Sequence, residues 1–324
     1  MPGLPRPITV PSRGSASGRG LRHPEPRKTP VTPIHRRRRE TAAAWAYISP
    51  AVLIILGLGV VPVAWSLVLS FQADDLVTPS RWVGVDNYAA LAQDPHFAQA
   101  VGNTVLYTVL YVPLSILFGF LLAQALNRRI RLVGVYRTLV FVPFVLSATA
   151  QGVLFSFVLD PQFGAANSVL HHLGVSPQGF LTDPAQALLV LVGITLWSGT
   201  GFCVVVYLAA LQDVPPSLVE AARLDGAGTW RVLRHVTLPA VTPVTAFLVL
   251  WQLITSLQVF DLVYVTTKGG PLGSTTVIVY FVWEQAFKNF TAGYGAASAY
   301  VLALALLVVV LAVRVLRRPG KALR

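Results

Sequence analysis

Six long, predominantly apolar stretches of this chain carry no Asp, Glu, Lys or Arg: residues 41–73, 97–127, 138–159, 184–212, 236–260 and 289–313. Each is longer than the roughly 20 apolar residues that cross a hydrocarbon core of about 30 Å. In lipid every backbone N–H and C=O must be satisfied within the segment, so each stretch is expected to be a helix. The expected fold class is all-α and integral to a membrane, with six transmembrane helices. Only 12% of the residues are charged, against about 25% in an average soluble domain. A seventh apolar run, "TTVIVYFVWEQAF" at residues 275–287, has 13 residues. That is too short to span, and it reads as an interfacial or re-entrant helix.

The cations test this count. Of 25 Lys and Arg, ten precede the first apolar stretch, four follow the second (Arg128, Arg129, Arg131, Arg137), three follow the fourth (Arg223, Arg231, Arg234) and five close the chain. With six spans these 22 fall on one side, leaving Arg81, Lys268 and Lys288 on the other. The positive-inside rule places the 22, and both termini, in the cytoplasm. The net charge of +12 is thus a topology signal, and "HRRRR" reads as a stop beside anionic lipid headgroups. No basic face with interleaved aromatics stands outside the membrane context, so a nucleic-acid partner is not expected.

Residues 1–42 are expected to be a disordered, basic cytoplasmic tail, because their Pro-, Gly-, Ser- and Arg-rich start cannot bury a core. Residues 43–318 form the membrane domain, interrupted by a polar loop at 213–242, and 319–324 a short cytoplasmic tail. The run after Glu40 is far longer than a signal-peptide core, so a cleaved signal is not expected.

Catalytic chemistry finds no purchase. His171 and His172 are adjacent and point to different faces of any helix, no HExxH occurs, and the single Cys203 has no partner. "TKGGPLGST" lacks the Lys-Ser/Thr of a phosphate loop. No metal, cofactor or enzymatic activity is expected. Asp261 lies about 27 Å up a helix from Pro243, near the outer interface, where it reads as a capping or interfacial acid. Neutral polar residues do fall within the spans, Gln151, Gln252 and Ser256 among them. Two readings stand for these: bonds to neighbouring helices, or the lining of a path for a polar solute.

The segment "DVPPSLVEAARLDGAGTWRVLRHVTLP" carries a helix-start signature. Asp213 is available as a cap, Pro215 and Pro216 sit in the first turn, and Gly226 and Gly228 supply a stop. Thr229 is expected to cap a second short helix that ends before Pro239. On the first helix Leu218, Ala221, Ala222 and Asp225 share a face on which small side chains admit a close partner. The physical reading is a docking element for a cytoplasmic protein.

This segment resembles the EAA loop of binding-protein-dependent ABC importer permeases. Glu220, Ala221, Ala222, Asp225, Gly226, Ala227 and Pro239 match its pattern, and Leu233 stands where the family often has Phe. "WVGVDNY", "YRTLVFVP", "FGAANSVL" and "QVFDLVYVTTKGGPLGST" are similar to the carbohydrate branch, which includes the maltose and glycerol-3-phosphate permeases; Lys268 departs slightly from its Thr-Gly-Gly-Pro arrangement. The resemblance implies the type I importer permease fold in a bacterial inner membrane. It also implies a second permease subunit, a dimer of cytoplasmic ATPase subunits and an extracytoplasmic solute-binding protein. The loop would then be a coupling helix seated on the ATPase, and the cargo a sugar or related polyol. The alternatives are a permease for another solute, such as amino acids or phosphonates, or a secondary transporter.

Overall fold

The computed structural model describes residues 34–75, 77–128 and 131–316. These fall into two compact units that divide between Gly59 and Val60. The first unit holds helix α1 (Ile34–Ile54) and the start of a π-helical turn, Ile55–Val60. Residues 34–42, expected to be disordered, are helical. Once a span has nucleated a helix, each added residue gains a hydrogen bond at small cost, and Arg is a good helix former. Residues 1–33 and 317–324, with the rest of the N-terminal tail and the C-terminal one, lie outside the described residues.

The second unit begins with α2 (Val61–Leu69) and a two-stranded ribbon, β1 (Gln72–Ala73) antiparallel to β2 (Arg81–Trp82). Short α3 (Asp86–Gln93) leads into α4 (Pro95–Leu126), a helix of 32 residues. Asp94 caps α4 by accepting the His96 N–H at 2.8 Å, and the Tyr294 hydroxyl donates to the same carboxylate at 2.7 Å. Then come α5 (Val133–Val145), α6 (Ala148–Val158), α7 (Ala165–His172) and α8 (Ala187–Gln212). The chain ends with α9 (Pro216–Leu224), α10 (Thr229–Val232), α11 (Leu238–Leu257), α12 (Asp261–Val265), α13 (Ile278–Trp283) and α14 (Ala292–Leu316).

Four described helical stretches are long and apolar enough to cross a membrane: Ala44–Leu69, Pro95–Leu126, Ala187–Gln212 and Thr229–Val265. The fourth contains the whole of window 236–260. Window 138–159 is not the single straight helix expected of it. It is a pair, α5 and α6, bent by 99°. Leu146 takes an extended conformation (ψ 137°) and the Ser147 hydroxyl accepts the Ala150 N–H at 3.2 Å, starting a new helix inside the apolar run. The sixth window lies on α14, of which Ala292–Val308 is an apolar helix shorter than the others. Residues 275–287 form no span: α13 has six residues before a further π-helical turn, Glu284–Lys288.

The core lies where α4 packs along α8 and α11. Tyr107, Tyr111, Leu191 and Leu248 are fully buried there. Close approach depends on small residues, as expected where packing rather than water drives helix association. A Cβ at Gly119 of α4 would lie 2.4 Å from that of Cys203 on α8. Cys203 is thus a small side chain packed between helices, wholly buried.

A capped polar hairpin and an intramembrane cavity

Helix α9 starts at Pro216, with Pro215 in the cap position and no side-chain cap. Asp213 instead ends α8. A residue before proline is pushed to extended ψ, so Pro215 (ψ 125°) separates Asp213 from the first turn. At the other end the sequence expectation holds. The Gly226 N–H donates to the Arg223 carbonyl at 3.0 Å and the Ala227 N–H to the Ala222 carbonyl at 2.9 Å, with Gly226 at φ +77°. This is a Schellman stop, in which the left-handed residue turns the chain and two orphan carbonyls are satisfied. Glu220, Ala221, Asp225 and Gly226 are exposed, while Ala222 and Ala227 are half-buried.

Thr229 is the first residue of α10 rather than its cap; Gly228 takes that position with no side-chain bond. Nor does the second helix end before Pro239. It passes through a π-helical turn, Leu233–Thr237, straight into α11. A proline ring clashes with the carbonyl four residues back, here His235, and the widened π turn is where that residue sits. The second half of the polar loop, from Thr229, and the fifth apolar window are therefore one helical stretch. Behind the hairpin lies a cavity of 790 Å³ walled by Gln124 of α4, Arg128 just beyond its end, Gln212 of α8, Glu220 and Arg223 of α9, and Thr237.

A second cavity, of 270 Å³, lies within the helix bundle. Gln151 of α6 and Gln252 and Ser256, one turn apart on α11, all reach its wall. Each also bonds to the protein. The Gln252 Nε2 donates to the Tyr111 hydroxyl at 2.9 Å and to the Cys203 sulfur at 3.3 Å, linking α11, α4 and α8. The Gln151 Nε2 donates to the Leu146 and Pro143 carbonyls at 2.8 and 3.3 Å, holding the break between α5 and α6. Ser256 donates to the Leu253 carbonyl at 2.8 Å. The cavity also takes in Tyr107, Tyr111, Trp251 and Asp261, which sequence reasoning did not assign to it. For Asp261 a signal existed in the helix break that its neighbours form: α11 stops at Leu257, and α12 restarts with this acid in its first turn. Among the described residues no three His, Cys, Asp or Glu come together as a metal-holding group.

A family profile described as "Binding-protein-dependent transport system inner membrane component" matches residues 87–318. The chain belongs to that family. Among related permeases, the lactose transport system permease protein LacF of Rhizobium radiobacter is 36% identical over 80% of this chain and 89% of its own. The trehalose/maltose transport system permease protein MalF of Thermococcus litoralis is 32% identical over 86% of this chain and 96% of its own. A solved bacterial ABC transporter involved in the import of the acidic polysaccharide alginate superposes with a TM-score of 0.79 at 25% identity, covering 89% of this chain and 99% of its own. A bacterial alginate ABC transporter solved in complex with an alginate pentasaccharide-bound periplasmic protein superposes with a TM-score of 0.79 at 25% identity, covering 89% of this chain and 98% of its own. This permease is accordingly an integral membrane transport component with the importer-permease fold, and not an enzyme.

Proposed function

We propose that this permease is one of two membrane-spanning subunits of an ATP-driven importer for a sugar or related polyol. An extracytoplasmic binding protein delivers the cargo, and a dimer of cytoplasmic ATPase subunits drives its passage through a bacterial inner membrane. The observation that carries the reading is the Schellman-capped α9, whose Glu220, Ala221 and Asp225 are open to solvent and which is followed, after the turn at Gly226–Gly228, by a helical run from Thr229 through Pro239 into α11. Closure of an ATPase dimer against α9 would reach the bundle as a rigid-body push. Carbohydrate cargo is supported by the lactose and trehalose/maltose permeases among its relatives and by a cavity lined with neutral amides, hydroxyls and aromatic rings. Gln151, Gln252 and Ser256 are assigned to the solute path.

The test is uptake. The purified complex with its second permease and ATPase subunits, in proteoliposomes, is expected to accumulate labelled saccharide only with ATP and a binding protein. Accumulation of amino acids or phosphonates instead would move the cargo to the alternative class. Uptake that persists without nucleotide would make the chain a secondary transporter.

The reading also fixes orientation. On six spans, 22 of the 25 Lys and Arg fall on one side, which supports cytoplasmic termini. A reporter fused after Arg324 is expected to be active only when it is one that works in the cytoplasm. Activity of a reporter that works only outside would overturn the six-span topology and the cytoplasmic position of α9.

A further inference from the structure

The loop between α12 and α13 holds two pairs of left-handed residues. Lys268, Gly269, Leu272 and Gly273 all take positive φ, at 51°, 80°, 52° and 73°. The two glycines are required twice over. A Cβ at Gly269 would lie 2.7 Å from the Thr276 hydroxyl, and one at Gly273 would lie 2.9 Å from the Gln99 side-chain oxygen. Lys268 and Leu272 hold the same disfavoured conformation while carrying side chains.

The conformation is imposed by a dense set of bonds. The Lys268 N–H donates to the Val263 carbonyl at 2.8 Å and the Thr275 hydroxyl to the Gly270 carbonyl at 2.7 Å. The Asn103 amide of α4 donates to the carbonyls of Gly273 and Thr276 at 2.9 and 3.0 Å, and the Gln99 amide to that of Leu272 at 3.3 Å. The loop is thereby clamped to α4.

Leu272 gains nothing from this within the fold. It is 88% exposed, so its side chain offsets none of the strain by burial, and glycine would sit there more easily. Strain that the fold does not reward concentrates at positions where a side chain must be shown to something else. The place is informative. Gln99 and Asn103 lie near the start of α4, whereas the cavity behind the hairpin touches Gln124 near its end, roughly 30 Å further along the helix. The loop therefore stands at the end of the bundle away from α9.

We propose that Leu272, presented on the clamped loop at residues 266–276, is an apolar anchor for the extracytoplasmic solute-binding protein. The assignment rests on the transport reading above, in which such a protein docks on the face opposite the ATPase. Lys268, exposed beside it, favours an acidic rim on the partner. An apolar anchor within a polar rim is the usual anatomy of a contact that dominates affinity.

The test uses the complete complex in nanodiscs, with its ATPase activity followed as the binding protein that stimulates the wild type is titrated. Leu272→Gly keeps the backbone conformation and removes only the side chain, and Leu272→Met keeps an apolar side chain of similar size. The expected result is about a tenfold rise in the half-stimulating concentration for Leu272→Gly, since truncating a central apolar anchor has an effect of that order. Basal hydrolysis and complex size should be unchanged, and Leu272→Met near wild type. An unchanged half-stimulating concentration in Leu272→Gly would overturn the anchor alone. So would dissociation of the complex by that variant, which would make the loop a contact between permease subunits. A wild-type complex that no binding protein stimulates would overturn the transport reading, and the anchor with it.

Discussion

Gly226→Val is expected to leave this permease inserted in the membrane at normal levels and to abolish ATP-driven uptake. The reason is conformational. A Cβ at Gly226 would meet no atom within 4 Å, so space is not the constraint. Its φ of +77° is. A left-handed L-residue costs roughly 1–2 kcal/mol, and a β-branched one is the worst case. Valine relieves that strain by opening the stop, which breaks the bonds from the Gly226 and Ala227 N–H groups to Arg223 and Ala222. The exposed end of α9 then loses a defined direction. Since α9 makes its stand outside the apolar windows, insertion is unaffected. Gly226→Asn is the control, because asparagine enters the left-handed region readily, and it should retain most activity. Ala222→Leu should also fail, by enlarging a half-buried position that α9 keeps small. Capture of the ATPase and an uptake assay on one membrane preparation separate lost docking from lost coupling. Normal capture together with normal uptake in Gly226→Val and Ala222→Leu would return the hairpin to a plain linker.

Much of this was legible because charge and glycine act locally. Charge-free windows marked helices, since a bilayer-length apolar run has few other options. Gly226 was readable as a left-handed stop because α9 has good helix formers before it and a second glycine after it. Features set by cooperation between elements were not legible. The break at Leu146–Ser147 inside window 138–159 looks like any Ser in an apolar run until Gln151 folds back on the Pro143 and Leu146 carbonyls. Pro239 reads as a helix end, and only the π turn at Leu233–Thr237 lets the helix continue through it. Helix rise alone did not show that α11 stops at Leu257 and that Asp261 opens a new short helix. Nothing in the letters marks Leu272 as left-handed; the clamp from Gln99 and Asn103 comes from about 170 residues earlier in the chain.

Gln252→Leu is expected to cut uptake at least tenfold while the complex remains assembled, and Gln252→Ala far less. The side chain is 2% exposed and joins three helices through Tyr111 and Cys203. Interhelical hydrogen bonds of this kind average only about 0.6 kcal/mol, so losing them leaves a folded bundle in both variants. What differs is the wall they leave behind. Alanine opens space beside the Tyr111 hydroxyl, and a water with polar partners can take the amide's place in a cavity of 270 Å³. Leucine occupies the amide's volume with hydrocarbon, so a passing solute hydroxyl meets no partner and is left desolvated, at about 1–3 kcal/mol for each unmade bond. Two such losses on the solute amount to more than a factor of ten. Gln151 should behave differently despite sharing the cavity. Gln151→Ala strips the donor from the two carbonyls at the α5–α6 break, so it should lower the amount of assembled complex as well as uptake. Size-exclusion of the solubilised complex beside a transport assay distinguishes the two residues. Equal uptake by Gln252→Leu and Gln252→Ala would assign Gln252 to helix packing and remove it from the solute path.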